Sequence, residues 1–324
     1  MQKLICVVGQ TASGKSDLAV KIAEKFNGEV ISADSRQVYR GMDIGTGKIT
    51  PDTKNSSNFS TGQAKKKYVF THKGIPHYLL NVASPKRIFT VSQYKNLAEK
   101  AIKNILAKGK MPIICGGTGF YIQTLVDDLQ IPKVAPDWKL RKKLEEKNTT
   151  QLFKMLKKLD PRRAKTIDAK NPRRLIRAIE IVMKTGKSVP KLKINPRFDA
   201  LFIGIKKSPE ELKKRIKKRL LKRLKIGMTA EVKRLRKSGL SWKRLEGFGL
   251  EYRWIAKYLQ KKILYSEMIK KLQKDIENYA KRQMTWFSAH GGSASGGKRD
   301  KKIHWIKNYK DTEKIVKNFL TKRP

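Results

Sequence analysis

Cysteine is scarce in this chain: Cys6 and Cys115 each sit inside a short apolar run and neither has a CxxC partner. Histidine is little commoner, and His72, His77, His290 and His304 are scattered, so no zinc-ligand spacing exists. Both cysteines read as small buried core residues. Long hydrophobic runs are missing too. No stretch approaches the roughly 18 apolar residues that a membrane-spanning helix needs. The apolar run after Lys3 stops at Gly9, too short for a signal-peptide core. A cytoplasmic protein with no membrane span is expected. The third scarcity is acidic charge: 27 Asp and Glu face 76 Lys and Arg, a formal net charge of +49. That balance points to a polyanionic partner, because neutralising each phosphate releases counterions. Heavy lysine use throughout also fits a compositional bias, and charge alone does not name the polyanion.

What is present is enough for a substantial core: 324 residues, 39% of them hydrophobic, suit one large domain or two ordinary ones. Leu4-Ile-Cys-Val-Val8 reads as a buried strand, and Leu18, Ala19, Ile22, Ala23 and Phe26 recur as one face of a helix. A second strand, Glu29 to Ala33, ends at Asp34; residues 48–75 read as a long polar surface loop. A helix over about 92–108 then precedes the strand Met111–Cys115, which runs into Gly116-Gly117-Thr118-Gly119. Strand and helix alternating in this way predict βαβ units and a parallel sheet. From about 126 the texture becomes helical and basic, broken at Asp160-Pro161, Asn171-Pro172 and Thr185-Gly186. Ala200–Ile205 returns as a strand, followed by basic helices over about 209–237, 249–261 and 266–287. A Gly/Ser linker at 288–299, a strand over 302–306 and a helix complete the pattern. The expected organisation is a core in two parts, 1–125 and 200–324, around a mostly helical, basic insertion at 126–199.

The most specific motif is Gly9-Gln10-Thr11-Ala12-Ser13-Gly14-Lys15-Ser16, which fits G-x-x-x-x-G-K-[ST] between a strand and a helix. Glycines let the backbone curl so that successive N–H groups face one point, and the helix start adds partial positive charge. Lys15 then reaches the outer phosphate and the Ser16 hydroxyl is placed to ligate Mg²⁺. The motif does not say which phosphate compound is held; kinases, nucleotide hydrolases and transferases that release pyrophosphate all qualify. Asp34, ending the second strand on the side where α/β proteins put their ligands, is a candidate base or holder of metal-bound water.

The stretch Asp34-Ser35-Arg36-Gln37-Val38-Tyr39-Arg40-Gly41, continuing to Gly45-Thr46-Gly47-Lys48, resembles the tRNA dimethylallyltransferase family when taken with the P-loop ahead of it. The resemblance continues through Pro76-His77-Tyr78, Gly116 to Tyr121, Asn171 to Glu180 and Ala280 to Trp286, in the family's order along nearly the whole chain. It implies an α/β fold: a P-loop NTPase-like parallel sheet flanked by helices, with an inserted, mostly helical domain. It also implies that the P-loop grips the pyrophosphate of dimethylallyl diphosphate, with Mg²⁺. The allyl group then passes to the exocyclic amine of the adenosine just 3′ of the tRNA anticodon. Asp34 is implied as the base, Thr118 as a catalytic support and Arg219 as a contact of the departing pyrophosphate. Arg219 has independent support, since Leu212, Ile216, Arg219 and Arg223 share one helical face.

For the RNA, the resemblance implies contact at Asp34, Ser35, Arg36 and Gln37 and near Arg141. Three clusters offer the backbone contacts and stacking that offset extraction of a base. Arg173, Arg174 and Arg177 open a helix behind Asn171 and Pro172; Lys281, Arg282 and Gln283 lead to Trp286; and Phe248 sits in a glycine-flanked loop. Core packing is the competing reading of Trp286 and Phe248. Residues 50–75 and 288–299 depart from the family, and no zinc-finger extension is present, as in bacterial members. The expected partners are the tRNA anticodon stem-loop and dimethylallyl diphosphate, with the enzyme a monomer. Three alternatives stand beside this reading: a small-molecule or nucleoside kinase, a prenyltransferase acting on free AMP or ADP, and an RNA-binding protein whose site has decayed.

Overall fold

The computed structural model describes residues 1–52, 58–59, 67–68, 70–290 and 303–322. Strand β1 (Gln2–Gly9) leads through the P-loop into α1 (Lys15–Lys25) and β2 (Gly28–Ala33). Leu4 to Val8 are fully buried, as an uninterrupted apolar run requires when a strand is covered on both faces. A two-residue ribbon, β3 (Asn58–Phe59) with β4 (Lys67–Tyr68), precedes a hairpin of β5 (Phe70–His72) and β6 (Ile75–Tyr78). Then come α2 (Val91–Ala107), capped by Thr90 and Gln93 in a reciprocal capping box, β7 (Met111–Gly116) and α3 (Gly119–Val126).

After the inserted segment, β8 (Phe198–Ile205) returns and pairs in parallel with β1 over its whole length, Gln2 opposite Phe198 and Gly9 opposite Ile205. The main sheet has the order β5-β6-β2-β7-β1-β8 and ends on the strand His304–Ile306. All its pairs are parallel except β5 with β6. This edge hairpin corrects the reading of 48–75 as one loop. The Lys73-Gly74 turn has φ of 52° and 70°, the backbone that a tight two-residue hairpin needs; strands of three and four residues are too short to show a period. Positions 53–57, 60–66 and 69 of that span lie outside the described residues.

By packing, the chain divides into one unit of residues 1–128 with 196–324 and a second of 129–195, against the 126–199 read from texture. The second unit holds α4 (Trp138–Glu145), α5 (Thr149–Leu159), α6 (Pro161–Ala164) and α7 (Pro172–Thr185). Each starts on a side chain that accepts a backbone N–H of the first turn: Asp137 from Leu140, Asn148 from Gln151, Asp160 from Arg163, Asn171 from Arg174. Proline occupies the first turn of α6 and α7, and Gly186 ends α7 at φ 64°. Leu144, Leu152, Leu156, Leu175 and Ile179 form its core.

Glu180, fully buried, is the electrostatic centre of this unit. It accepts from Arg141 at 2.8 and 2.6 Å, from the Asp137 N–H at 2.6 Å, and from Arg177. Burial pushes its carboxyl up, but the Arg141, Asp137 and Arg177 hydrogen bonds outweigh that and hold it at about 2 against an ordinary 4.5. A lowered carboxyl pKa stabilises the fold above the unfolded value and loses that contribution as pH falls toward the folded one. The stability gap between wild type and Glu180→Gln, from urea unfolding of the whole chain, is therefore expected to shrink between pH 4.5 and 2. A gap that stays constant over that window would remove the charge argument.

The first unit continues beyond β8 with α8 (Pro209–Lys225), α9 (Met228–Lys237), α10 (Trp242–Gly247), α11 (Leu250–Leu259) and α12 (Tyr265–His290). The single helix expected over 209–237 is two, because Gly227 at φ 103° starts α9 in a new direction. Their apolar faces enclose a separate core of Leu212, Ile216, Leu220, Val232, Ile255, Met268 and Leu272 that also takes in Val38, Tyr39 and Met42. Residues 288–290, expected as linker, belong to α12, while 291–299 lie outside the described residues. The last elements are β9 (His304–Ile306) and α13 (Tyr309–Thr321).

Candidate active site

Because β2, β7 and β1 are adjacent and parallel, the loops leaving their carboxyl ends lie side by side, where open α/β sheets bind ligands. Those loops carry Asp34, Thr118 and the P-loop. The Thr118 N–H donates to Ala33 O at 3.1 Å, and the Ser35 N–H donates to Thr118 Oγ1 at 3.1 Å. Gly116 is required there: a Cβ would lie 2.2 Å from Ala33 O. Asp34 Oδ1 accepts the Arg36 and Gln37 N–H groups at 2.8 and 3.3 Å, while Oδ2 has no hydrogen bond among the described residues.

The P-loop curls with Gly14 at φ 101° into the start of α1. Ser13 Oγ is buried there without a protein partner among the described residues, a donor already placed for a phosphate oxygen. Lys15 donates to Gln10 O within the loop. Burial lowers its ammonium to about 8, Cys115 and Asp34 opposing that fall and the Arg219 charge adding to it. Two arginines of α8 close over the loop: Arg215 donates to Ala12 O at 2.8 Å, and Arg219 Nη2 to Thr11 Oγ1 at 3.3 Å. Burial, and next the charge of Arg223, hold the Arg219 guanidinium down at about 10, so it is cationic at neutral pH. Together these groups face a cavity of about 240 Å³ with Ser13 to Asp17, Asp34, Thr46, Gly47 and Gln283 in its wall.

A second cavity of about 330 Å³ adjoins it, lined by Asp34 to Arg36, Phe248 to Arg253, Asp275, Tyr279 and Arg282. Thr11, Asp34, Thr46, Arg219 and Tyr279 line both. The wall at Gly45–Gly47 is held by Glu231. Its buried carboxylate accepts the N–H groups of Asp43, Ile44 and Gly45 at 2.7–3.0 Å and the Tyr252 hydroxyl at 2.8 Å. Lys48 ties the same segment by donating to Tyr39 O, Asp43 and Asn81. Arg223 is buried against Glu251 and Gly45 O.

The structure sorts the sequence candidates. Asp34, Arg219 and Ser13 to Ser16 converge. Gly9 and Gln10 are outside the cavity wall and shape the loop instead, and the Thr11 N–H is taken by Gln283 Oε1 at 2.7 Å. Thr118 lines neither cavity; its Oγ1 holds the Asp34 loop through the Ser35 N–H. Gln283 is a correction as well. Buried in the wall of the first cavity, with its amide also donating to Gly117 O at 3.0 Å, it ties the P-loop to the β7 loop and is not a surface side chain. The Phe248 ring is buried 5.2 Å from Tyr39 and 5.8 Å from Tyr252, with Arg244 4.4 Å over it, so the core-packing reading holds for the ring. Trp286 is half-buried against Phe120 and Gly119.

Arg36, in the wall of the second cavity, donates to Phe248 O at 2.7 Å, and Gln37, in the wall of the first, to Thr46 O at 3.3 Å. Asn171 and Pro172 make the start of α7; Arg141 and Arg177 are committed to Glu180. Arg173, Arg174, Lys281 and Arg282 remain exposed. Arg215 and Tyr279 were missed, although each has a helical signal: Arg215 precedes Arg219 by one turn, as Tyr279 precedes Gln283.

No helix among the described residues is long and apolar enough to cross a membrane. The profile of the family described as IPP transferase matches residues 37–290, and that of isopentenyl transferase residues 2–58. A tRNA dimethylallyltransferase of Acetivibrio thermocellus is 38% identical, over 98% of this chain and 96% of its own length. A solved tRNA delta(2)-isopentenylpyrophosphate transferase of Staphylococcus epidermidis is 34% identical, each chain covered in full, with a TM-score of 0.65. A eukaryotic dimethylallyltransferase, solved acting on tRNA, is 29% identical over 89% of this chain and 70% of its own, with a TM-score of 0.71. With its P-loop cradle, its carboxylate on the seam and a family match over most of its length, the chain belongs to the IPP transferase family, that of the tRNA dimethylallyltransferases.

Proposed function

We propose that this chain transfers a dimethylallyl group from dimethylallyl diphosphate to the N6 amine of the adenosine 3′ of a tRNA anticodon, releasing pyrophosphate. The observation that carries it is the seam: a cationic phosphate cradle and a second cavity meet at Asp34. The diphosphate lies among Ser13, Lys15, Arg215 and Arg219, the Ser13 hydroxyl supplying a donor that is unspent among the described residues. The adenine enters the cavity between Arg36, Gly249 and Arg282. As N6 attacks the allyl C1, the C–O bond breaks with its electron pair passing to pyrophosphate. Asp34 takes the N6 proton through its uncommitted oxygen, which makes a poor amine nucleophile competent.

Mg²⁺ fits this donor set. Ser16 is an exposed residue in the cradle wall, and the described residues contain no cluster of three His, Cys, Asp or Glu that would hold a metal by itself. Ser16 would hold the ion at the pyrophosphate, and the ion would supply further positive charge to the leaving group.

Exposed Arg173, Arg174, Lys281 and Arg282 serve the RNA backbone, in a cytoplasmic monomer. If these four contact phosphates, affinity for tRNA is expected to fall about a hundredfold between about 50 and 200 mM salt. Filter binding across that range checks it; a flat response would make the basic surface incidental. The reaction itself is tested by nucleoside analysis of tRNA after incubation with enzyme, dimethylallyl diphosphate and Mg²⁺. Prenylated adenosine with stoichiometric pyrophosphate supports the proposal. ADP formation from ATP supports a kinase, and activity on AMP but not on an anticodon stem-loop supports the free-nucleotide prenyltransferase.

A further inference from the structure

Of the five residues on the seam between the two cavities, Thr11, Asp34, Thr46 and Arg219 are polar or charged, and Tyr279 alone brings an aromatic ring. That ring is held from two directions. One turn further along α12, Gln283 is fastened to Thr11 N–H and Gly117 O, which pins the helix beneath Tyr279. The Tyr279 hydroxyl lies beside Thr118, whose Oγ1 accepts the Ser35 N–H. Burial, and next the Asp34 charge, push the phenol well above its ordinary value. It is therefore neutral at neutral pH.

The transfer makes a specific demand at this seam. As the C1–O bond breaks and its electrons pass to pyrophosphate, positive charge develops over the allyl group before the C1–N6 bond is complete. The cationic cradle stabilises the leaving anion but repels that charge, and Asp34 is occupied with the N6 proton. A π face is the remaining stabiliser, since its negative quadrupole attracts a cation without reacting with it. We propose that Tyr279 is a catalytic residue of the transfer, its ring lying against the allyl group as charge develops there. No electron pair or proton passes to Tyr279, so the balance of the reaction is unchanged. The inference rests on the transfer reading.

The test compares Tyr279→Phe, Tyr279→Leu and a series of ring-fluorinated phenylalanines at 279 in single-turnover transfer to tRNA. Tyr279→Phe is expected to keep kcat within about fivefold, because the aromatic ring is retained and only the hydroxyl is lost. Tyr279→Leu is expected to lower kcat about thirtyfold, the size of a desolvated cation–π contact, with KM for both substrates little changed. Each added fluorine should lower the rate further while leaving ring size and thermal stability nearly constant. A purely structural ring would show no such trend. Equal rates for Leu and Phe, or a flat fluorine series from an active wild type, would overturn the role of Tyr279 alone. A wild type that prenylates no tRNA would overturn the reaction and Tyr279 with it.

Discussion

Asp34→Ala is expected to lower kcat by about three orders of magnitude, within the range that loss of a general base produces, while tRNA affinity changes by less than about threefold. The geometry allows a sharper form of the experiment. Asp34 has two separable jobs, because Oδ1 accepts the Arg36 and Gln37 N–H groups and Oδ2 is uncommitted among the described residues. Asn keeps an amide oxygen for the first job and cannot take a proton in the second. Asp34→Asn should therefore be nearly as slow as Asp34→Ala while retaining the loop. If Asn restores most of the rate, Asp34 is a loop anchor and the base lies elsewhere. Single-turnover rates with saturating tRNA separate the chemical step from binding.

Arg219→Ala is the second large loss: about a hundredfold to a thousandfold in kcat, the cost of removing one preorganised group from a developing anion. Arg219 is half-buried, one turn from Arg215 and Arg223 on α8, with its guanidinium on Thr11. Charge grows on the diphosphate as the C–O bond breaks, so the effect belongs mainly in kcat, and KM for the donor should rise much less. A variant that loses only donor affinity would make Arg219 a binding group without a transition-state role. Arg219→Lys should recover part of the loss, because an ammonium keeps the charge but not the forked donor geometry.

Legibility in the sequence followed the range of the interaction. The P-loop could be read because its geometry is local: Gly14 permits φ of 101° and α1 begins at the next residue. The starts of α6 and α7 were equally plain, since Asp160-Pro161 and Asn171-Pro172 place a cap and a first-turn proline next to each other. The face of α8 that carries Arg219 followed from the 3.6-residue period. The period did not reveal the break at Gly227, because basic and apolar residues continue in step on either side of it.

The tRNA-contact set shows the opposite limit. Gln283 and Phe248 sat in basic or glycine-flanked surroundings that read as exposed, yet both are buried. Their partners, Thr11 and Gly117 for one and Tyr39 and Tyr252 for the other, come from other elements. Arg141 and Arg177 similarly read as free cations until Glu180 is seen buried between them. Paired charges and bridged amides are invisible to composition.

The sequence by itself therefore determined the class of chemistry: a phosphate loop between strand and helix, an acid at the end of the next strand, and a parallel sheet that presents both on one edge. These rest on backbone preferences and periodicities spanning a few residues. Only the tertiary structure decided what that edge contains. Strand order sets β7 between β2 and β1, so Thr118 stands behind Asp34. The packing of α8 and α12 brings Arg215 and Tyr279 over the same loops, and Glu231 holds the Gly45 wall across 186 residues of chain. A hydrogen bond or a shared cavity wall between distant residues leaves no local trace, because the energy that selects it is gained only when the whole core is packed.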